Sequence, residues 1–122
     1  MCPVIKLADR PELGVVYDIM HPFRDGETLA ETMVQLQGLI RHVHFHDALN
    51  DRKKVVVTPM GKGQLPVDEI LDALIKSGYN EYLSGEWFHD MYGSEPEEAL
   101  GLYMQEISEM LSKREIRPGT RR

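Results

Sequence analysis

Apolar residues recur along the chain with two different periods. The run Gly14 to Ile19 (GVVYDI) is short and β-branched and follows the turn-like Arg10-Pro11-Glu12, which predicts a strand. From about Thr28 to Gly38 the spacing changes to a helical one, with Leu29, Met33 and Leu36 on one face and Ile40 continuing it. Thr28 and Glu31 stand at capping-box spacing at its start. A second strand is predicted over Ile40 to Asp47, then a polar loop over Ala48 to Lys54 and a short extended piece at Val55 to Thr58. Pro59-Met60-Gly61-Lys62-Gly63 breaks regular structure. A second helix is predicted from Pro66, a residue suited to a first helical turn, with Asp68 and Glu69 complementing the dipole. Its apolar face is Ile70, Leu71, Leu74 and Ile75, and Gly78 is placed to end it. The third strand is predicted over Glu81 to Trp87. Ser94 and Glu97 have capping-box spacing before a last helix with the stripe Leu100, Met104, Ile107 and Leu111. The basic end, REIRPGTRR, reads as a disordered tail.

Strands alternating with helices argue for βαβ units and a parallel sheet. Composition leaves that picture standing: 122 residues suggest one domain or part of a larger one, with 42% hydrophobic and 28% charged residues. The net charge of −6 disfavours general nucleic-acid binding, which needs a basic surface. The single cysteine, Cys2, cannot form an intrachain disulfide and has no visible catalytic partner. No apolar run approaches a membrane span, and MCPVIKLADR lacks the apolar core of a signal peptide, so a cytoplasmic location and no membrane partner are expected.

The candidate chemistry lies at the predicted strand ends. Residues 42–47 read HVHFHD, so in a strand His42, His44 and His46 share one face while Val43 and Phe45 take the other. Asp18 ends the first strand with His21 three residues on, and Glu86 lies at the end of the third. In parallel α/β sheets and barrels the carboxyl ends of strands gather on one face, where active sites form. An aspartate, a histidine and a glutamate converging there suit a divalent cation. The three histidines cannot share one ion, since His42 and His46 stand roughly 13 Å apart along a strand. Each residue also has a plainer reading: Asp18 as a turn residue, His44 as hydrogen-bonded core, Trp87 and Phe88 as packing instead of a pocket wall. Gly61-Lys62-Gly63 lacks the full phosphate-loop pattern and reads as a flexible turn.

Taken in order, YDIMH, HVHFHDA and PMGKGQLPVDEILDALIKSGYNEYLSGEW resemble the last three βα units of the sugar phosphate isomerase/epimerase family, the xylose-isomerase-like branch of the (β/α)8 barrels. The resemblance covers about residues 12–112. It implies an α/β fold, a partial TIM barrel of about three C-terminal βα units with a parallel sheet, over residues 1–112, with 113–122 as the tail. It further implies a divalent metal, Mn2+ first and Mg2+, Co2+ or Zn2+ as alternatives, on Asp18, His44 and Glu86. His21 matches a substrate-touching residue that binds metal in endonuclease relatives, and Arg52 lies near the place of a substrate-contacting arginine. His42, His46 and Asp47 become supporting or substrate-side residues. The implied reaction is proton transfer next to the carbonyl of a small sugar or sugar phosphate, through a metal-stabilised enediolate, with Glu86 as base or acid.

The chain departs from that pattern as well. A full barrel has eight βα units and ~250 residues, and about three are visible here. The family's other metal-binding glutamate has no counterpart, since Glu12 precedes the first strand instead of ending one. Open sheet edges would remain, so a truncated barrel, a gene fragment, or a subunit completed by self-association or by a partner chain is expected. Two alternatives accompany the isomerase reading: a metal-dependent abasic-site endonuclease-like fragment, and a non-catalytic half-barrel association module.

Overall fold

A computed structural model describes residues 3–51, 54–87 and 95–116. The elements run α1 (Pro3–Ala8), β1 (Val15–Asp18), α2 (Met20–Arg24), α3 (Leu29–Leu36), β2 (Ile40–His44), β3 (Asp47–Asp51), β4 (Lys54–Thr58), α4 (Val67–Lys76), β5 (Leu83–Ser84) and α5 (Pro96–Ser112). Strands β1, β2 and β5 form a parallel sheet in that order, as the alternation of periods predicts. Parallel neighbours need crossovers, which α3 supplies between β1 and β2 and α4 between β2 and β5. The register sets Asp18 beside His44 and His44 beside Ser84, so the three strands end level with one another.

The helices form for reasons visible in their ends and faces. Thr28 and Glu31 close a reciprocal capping box on α3, the Glu31 N–H donating to the Thr28 hydroxyl at 3.2 Å and the Thr28 N–H to the Glu31 carboxylate at 3.3 Å. Helix α4 buries Val67, Ile70, Leu71 and Leu74, with Pro66 just before it and Gly78 beyond its end in the left-handed region at φ 87°. Helix α5 keeps the C-terminal half of the expected stripe, with Ile107 buried and Leu111 packed against the core, but Leu100 and Met104 are exposed and Ala99, Tyr103 and Met110 are buried in their place. Both sets have helical spacing, and one residue's step turns the face by about 100°. Tyr103 decides between them, because its hydroxyl donates to the Phe45 carbonyl at 2.7 Å and its ring packs on Trp87. The helix is capped at Glu95 with Pro96 in its first turn, and Ser94 lies outside the described residues.

The expected polar loop after β2 is instead half of a hairpin. β3 pairs antiparallel with β4, from Asp47 opposite Thr58 to Asp51 opposite Lys54. DALND has little strand propensity of its own, and its pairing with the β-branched Val55-Val56-Val57 supplies what composition does not. Strand β2 therefore stops at His44, although Phe45 still donates its N–H to the Ser84 carbonyl at 2.7 Å. The third strand is also shorter than expected, two residues. Helices α1 and α2 carry too few residues for a periodic signal, and neither was expected from the sequence.

The core lies on the face of the sheet turned to α4 and α5. Tyr17, Ile19, Val43 and Phe45 pack with Ile70, Leu71, Leu74, Tyr103, Ile107 and Met110. Val43 and Phe45 are wholly buried, as alternation requires. Residues 113–116, placed in the tail by sequence, close α5 with a hydrogen-bonded turn. There the Arg114 guanidinium reaches Asp72 at 2.6 Å and Asp68 at 2.9 Å on α4, and donates to the Met110 carbonyl. Among the described residues no helix is long and apolar enough to cross a membrane.

Candidate metal centre

The parallel register brings the strand-end residues together. Asp18 closes β1, His44 closes β2, and Glu86 stands two residues beyond the end of β5. His44 Nδ1 lies 3.7 Å from Asp18 Oδ2 and 3.0 Å from Glu86 Oε2. One ligand atom from each residue lies within 4.8 Å of the others. The side chains grade from sheltered to open: Asp18 is 11% exposed, His44 28% and Glu86 62%. Gly85 helps to place Glu86. A Cβ there would strike the Trp87 and Tyr103 rings, so glycine lets Trp87 fold onto Tyr103 while Glu86 stays on the open side. Two carboxylates gathered around an imidazole repel one another unless a cation joins them. Their mixed oxygen and nitrogen donors fit a divalent ion of the Mn2+, Co2+ or Zn2+ type.

The two oxygens of Asp18 have separate partners. Oδ1 accepts the Met20 N–H at 3.0 Å and lies 3.4 Å from His46 Nε2. Oδ2 faces His44 and, at 3.9 Å, His21 Nε2. Burial by itself pushes the Asp18 carboxyl up. Contact with His46, the Met20 N–H and the nearby His21 outweigh it, and the group titrates below its ordinary value of 3.8. Asp18 is thus a carboxylate at neutral pH, the form that binds a metal.

A second aspartate has a role that sequence reading missed. Asp47 is fully buried and accepts four backbone N–H groups: Ala48 at 2.8 Å and Leu65 at 3.2 Å on Oδ1, Gly61 and Gly63 at 2.9 Å on Oδ2. Gly61 sits at φ 82°, and a Cβ on Gly63 would collide with the Asp47 carboxylate and the Ala48 backbone. Gly61-Lys62-Gly63 is therefore a tethered loop instead of a flexible turn. An acid ending HVHFHD and a Gly-x-Gly downstream were both visible in the sequence, but only the fold shows that one binds the other.

The remaining candidates are placed unequally. His21 lies at the rim of the cluster and is 56% exposed. His42 packs edge-on against His44 with ring centres 5.5 Å apart and does not join the donor group. His46 is buried against Asp18. Arg52, Phe88 and Cys2 lie outside the described residues. Trp87 packs with the core, the plainer of its two readings.

Comparison with known proteins agrees with this architecture. A family model described as xylose isomerase-like TIM barrel matches residues 3–112. An uncharacterized protein of Methanocaldococcus jannaschii is 29% identical over 115 residues, which cover 92% of this chain and 38% of that protein. The crystal structure of a xylose isomerase domain protein from Planctomyces limnophilus superposes with a TM-score of 0.73 at 21% identity, covering 89% of this chain and 41% of that one. At that identity the likeness concerns the fold alone. The chain spans about two fifths of the length of these relatives. With a parallel βα sheet, a level row of strand ends and a family match over nearly all of its length, the chain belongs to the xylose isomerase-like TIM-barrel family.

Proposed function

We propose that this chain carries the metal-binding and proton-transfer face of a sugar or sugar-phosphate isomerase or epimerase. Asp18, His44 and Glu86 hold a divalent cation, Mn2+ first, and Glu86 moves the proton next to the substrate carbonyl. The observation that carries this reading is the convergence of the three donors within 4.8 Å at the carboxyl ends of parallel strands. When bound, the cation supplies Lewis-acid polarisation of the substrate carbonyl and hydroxyl. Asp18, sheltered and ionised, contributes fixed negative charge. Glu86 is the most exposed of the three, so a substrate can reach its carboxylate, as a general base requires. His21 at the rim contacts a substrate hydroxyl, and His42, edge-on to His44, and Arg52 add further substrate contacts.

The family also includes endonuclease-like members, but the net charge of −6 favours a small polar substrate over a duplex. We further propose that residues 1–112 form the barrel portion and that strands from a second copy or another chain flank it. In support, β1 and β5 are the edges of the sheet and Val16 on β1 is exposed. A single cysteine suits the reducing cytoplasm, where we place the protein.

Calorimetry with Mn2+ tests the site. Glu86→Gln and His44→Ala should each weaken binding by tenfold or more, about 1.4 kcal/mol. Affinity unchanged in both variants would overturn the assignment. Solvent-deuterium incorporation into a panel of ketoses and their phosphates tests the chemistry. Exchange in the wild type that is lost in Glu86→Gln is expected, and exchange that persists in the variant would remove Glu86 from the reaction.

A further inference from the structure

Beside the proposed centre stands a side chain that the reading above leaves unused. The His46 side chain is 3% exposed, and neither ring nitrogen has a hydrogen-bond partner among the described residues. Buried polar atoms are seldom left bare, because stripping them of water without a replacement bond is costly. An apolar residue would fill the same space without that cost. Nε2 faces Asp18 Oδ1 at 3.4 Å.

The two oxygens of Asp18 differ in their surroundings. A carboxylate with both oxygens free can turn about its terminal bond and offer either one. Here Oδ1 is held by the Met20 N–H at 3.0 Å and flanked by His46, while Oδ2 points toward His44. His46 itself is not one of the converging donors, which are Asp18, His44 and Glu86 among the described residues.

We propose that His46 is a positioning residue: as the neutral Nε2–H tautomer it donates to Asp18 Oδ1 and so presents Oδ2 alone to the divalent cation. This rests on the metal reading of Asp18, His44 and Glu86. A neutral imidazole has one donor and one acceptor nitrogen, so the assignment also fixes Nδ1 as bare. Groups that orient a ligating side chain from behind commonly contribute 10–100-fold to metal affinity.

Two measurements on the whole chain test it. Long-range 1H–15N NMR of the metal-free wild type should show His46 protonated at Nε2 and bare at Nδ1. The opposite tautomer would overturn the proposal without any variant having to fold. Calorimetry with Mn2+ alone should show His46→Leu weakened about 10–100-fold. His46→Gln, whose amide N–H can reach the same oxygen, should recover most of that loss. In an Asp18→Asn background the His46→Leu change should make no further difference. Wild-type affinity in His46→Leu, equal losses in the Leu and Gln variants, or an undiminished His46→Leu effect without the Asp18 carboxylate would each overturn it. A wild-type chain that binds no Mn2+ overturns the metal reading and the positioning role with it. Normal Mn2+ binding with an Nδ1–H tautomer overturns the role of His46 alone.

Discussion

Asp47 at the start of β3 and Asp18 at the end of β1 do different work with the same side chain. Asp47 spends both oxygens on four backbone N–H groups and organises the 61–65 segment, whereas Asp18 keeps one oxygen for the proposed ion. Removing the Asp47 carboxylate leaves buried donors without a partner. Asp47→Ala should therefore cost about 3–5 kcal/mol in urea denaturation, at the upper end for one substitution. A loss under about 1 kcal/mol would mean that the loop does not depend on it. Tyr17 gives a pH signature at the same scale. Burial first, then the charges of Glu27 and Asp18, push its phenol from 10.0 to about 12. A value raised in the folded state means that its contribution to stability is complete below pH 10 and is lost as pH climbs toward 12. Tyr103 is shifted the same way, by burial and then Glu106. Stability should fall over that window, and Tyr17→Phe with Tyr103→Phe should flatten the fall. An unaltered slope in the double variant would contradict this account.

At the scale of elements, the sequence was legible where one signal dominated. The capping box at Thr28 and Glu31 and the apolar face of α4 appear as read, because each is local and has no competitor. The face of α5 was legible at Ile107 and Leu111 but not at Leu100 and Met104, because two helical stripes were available and a distant contact, Tyr103 to the Phe45 carbonyl, selects between them. The β3–β4 hairpin was missed because DALND becomes a strand through its partner. These assignments have measurable consequences. Leu100→Glu should change stability by no more than about 0.5 kcal/mol, while Tyr103→Ala should cost about 3–5 kcal/mol. The reverse ranking would restore the expected stripe. Arg114→Ala should cost about 1 kcal/mol, less in high salt, because its partners Asp68 and Asp72 are largely exposed.

For the whole molecule, the parallel α/β class was legible in the alternation of strand and helix periods, and the candidate donors in the residues that end the strands. Parallel register is a property of the sheet, yet it acts on strand ends that a sequence displays directly: Asp18, His44 and then Glu86 just past Ser84. What the sequence could not display was the traffic behind that row, with His46 turned to Asp18 and Asp47 turned to the Gly61–Gly63 loop. Both depend on contacts across the fold and not on period or spacing. Among the described residues β1 and β5 are the edges of the sheet and Val16, Leu100 and Met104 are exposed, and sedimentation velocity over a concentration series tests the proposed association. A mass that stays at one chain throughout, with slow amide exchange in all three strands, would contradict it. The central claim is the identity of the metal ligands, and anomalous diffraction from crystals grown with Mn2+ tests it most directly. One strong peak is expected between Asp18 Oδ2, His44 Nδ1 and Glu86 Oε2, within bonding distance of all three. A peak bonded to other residues, or no peak between these three, would contradict it.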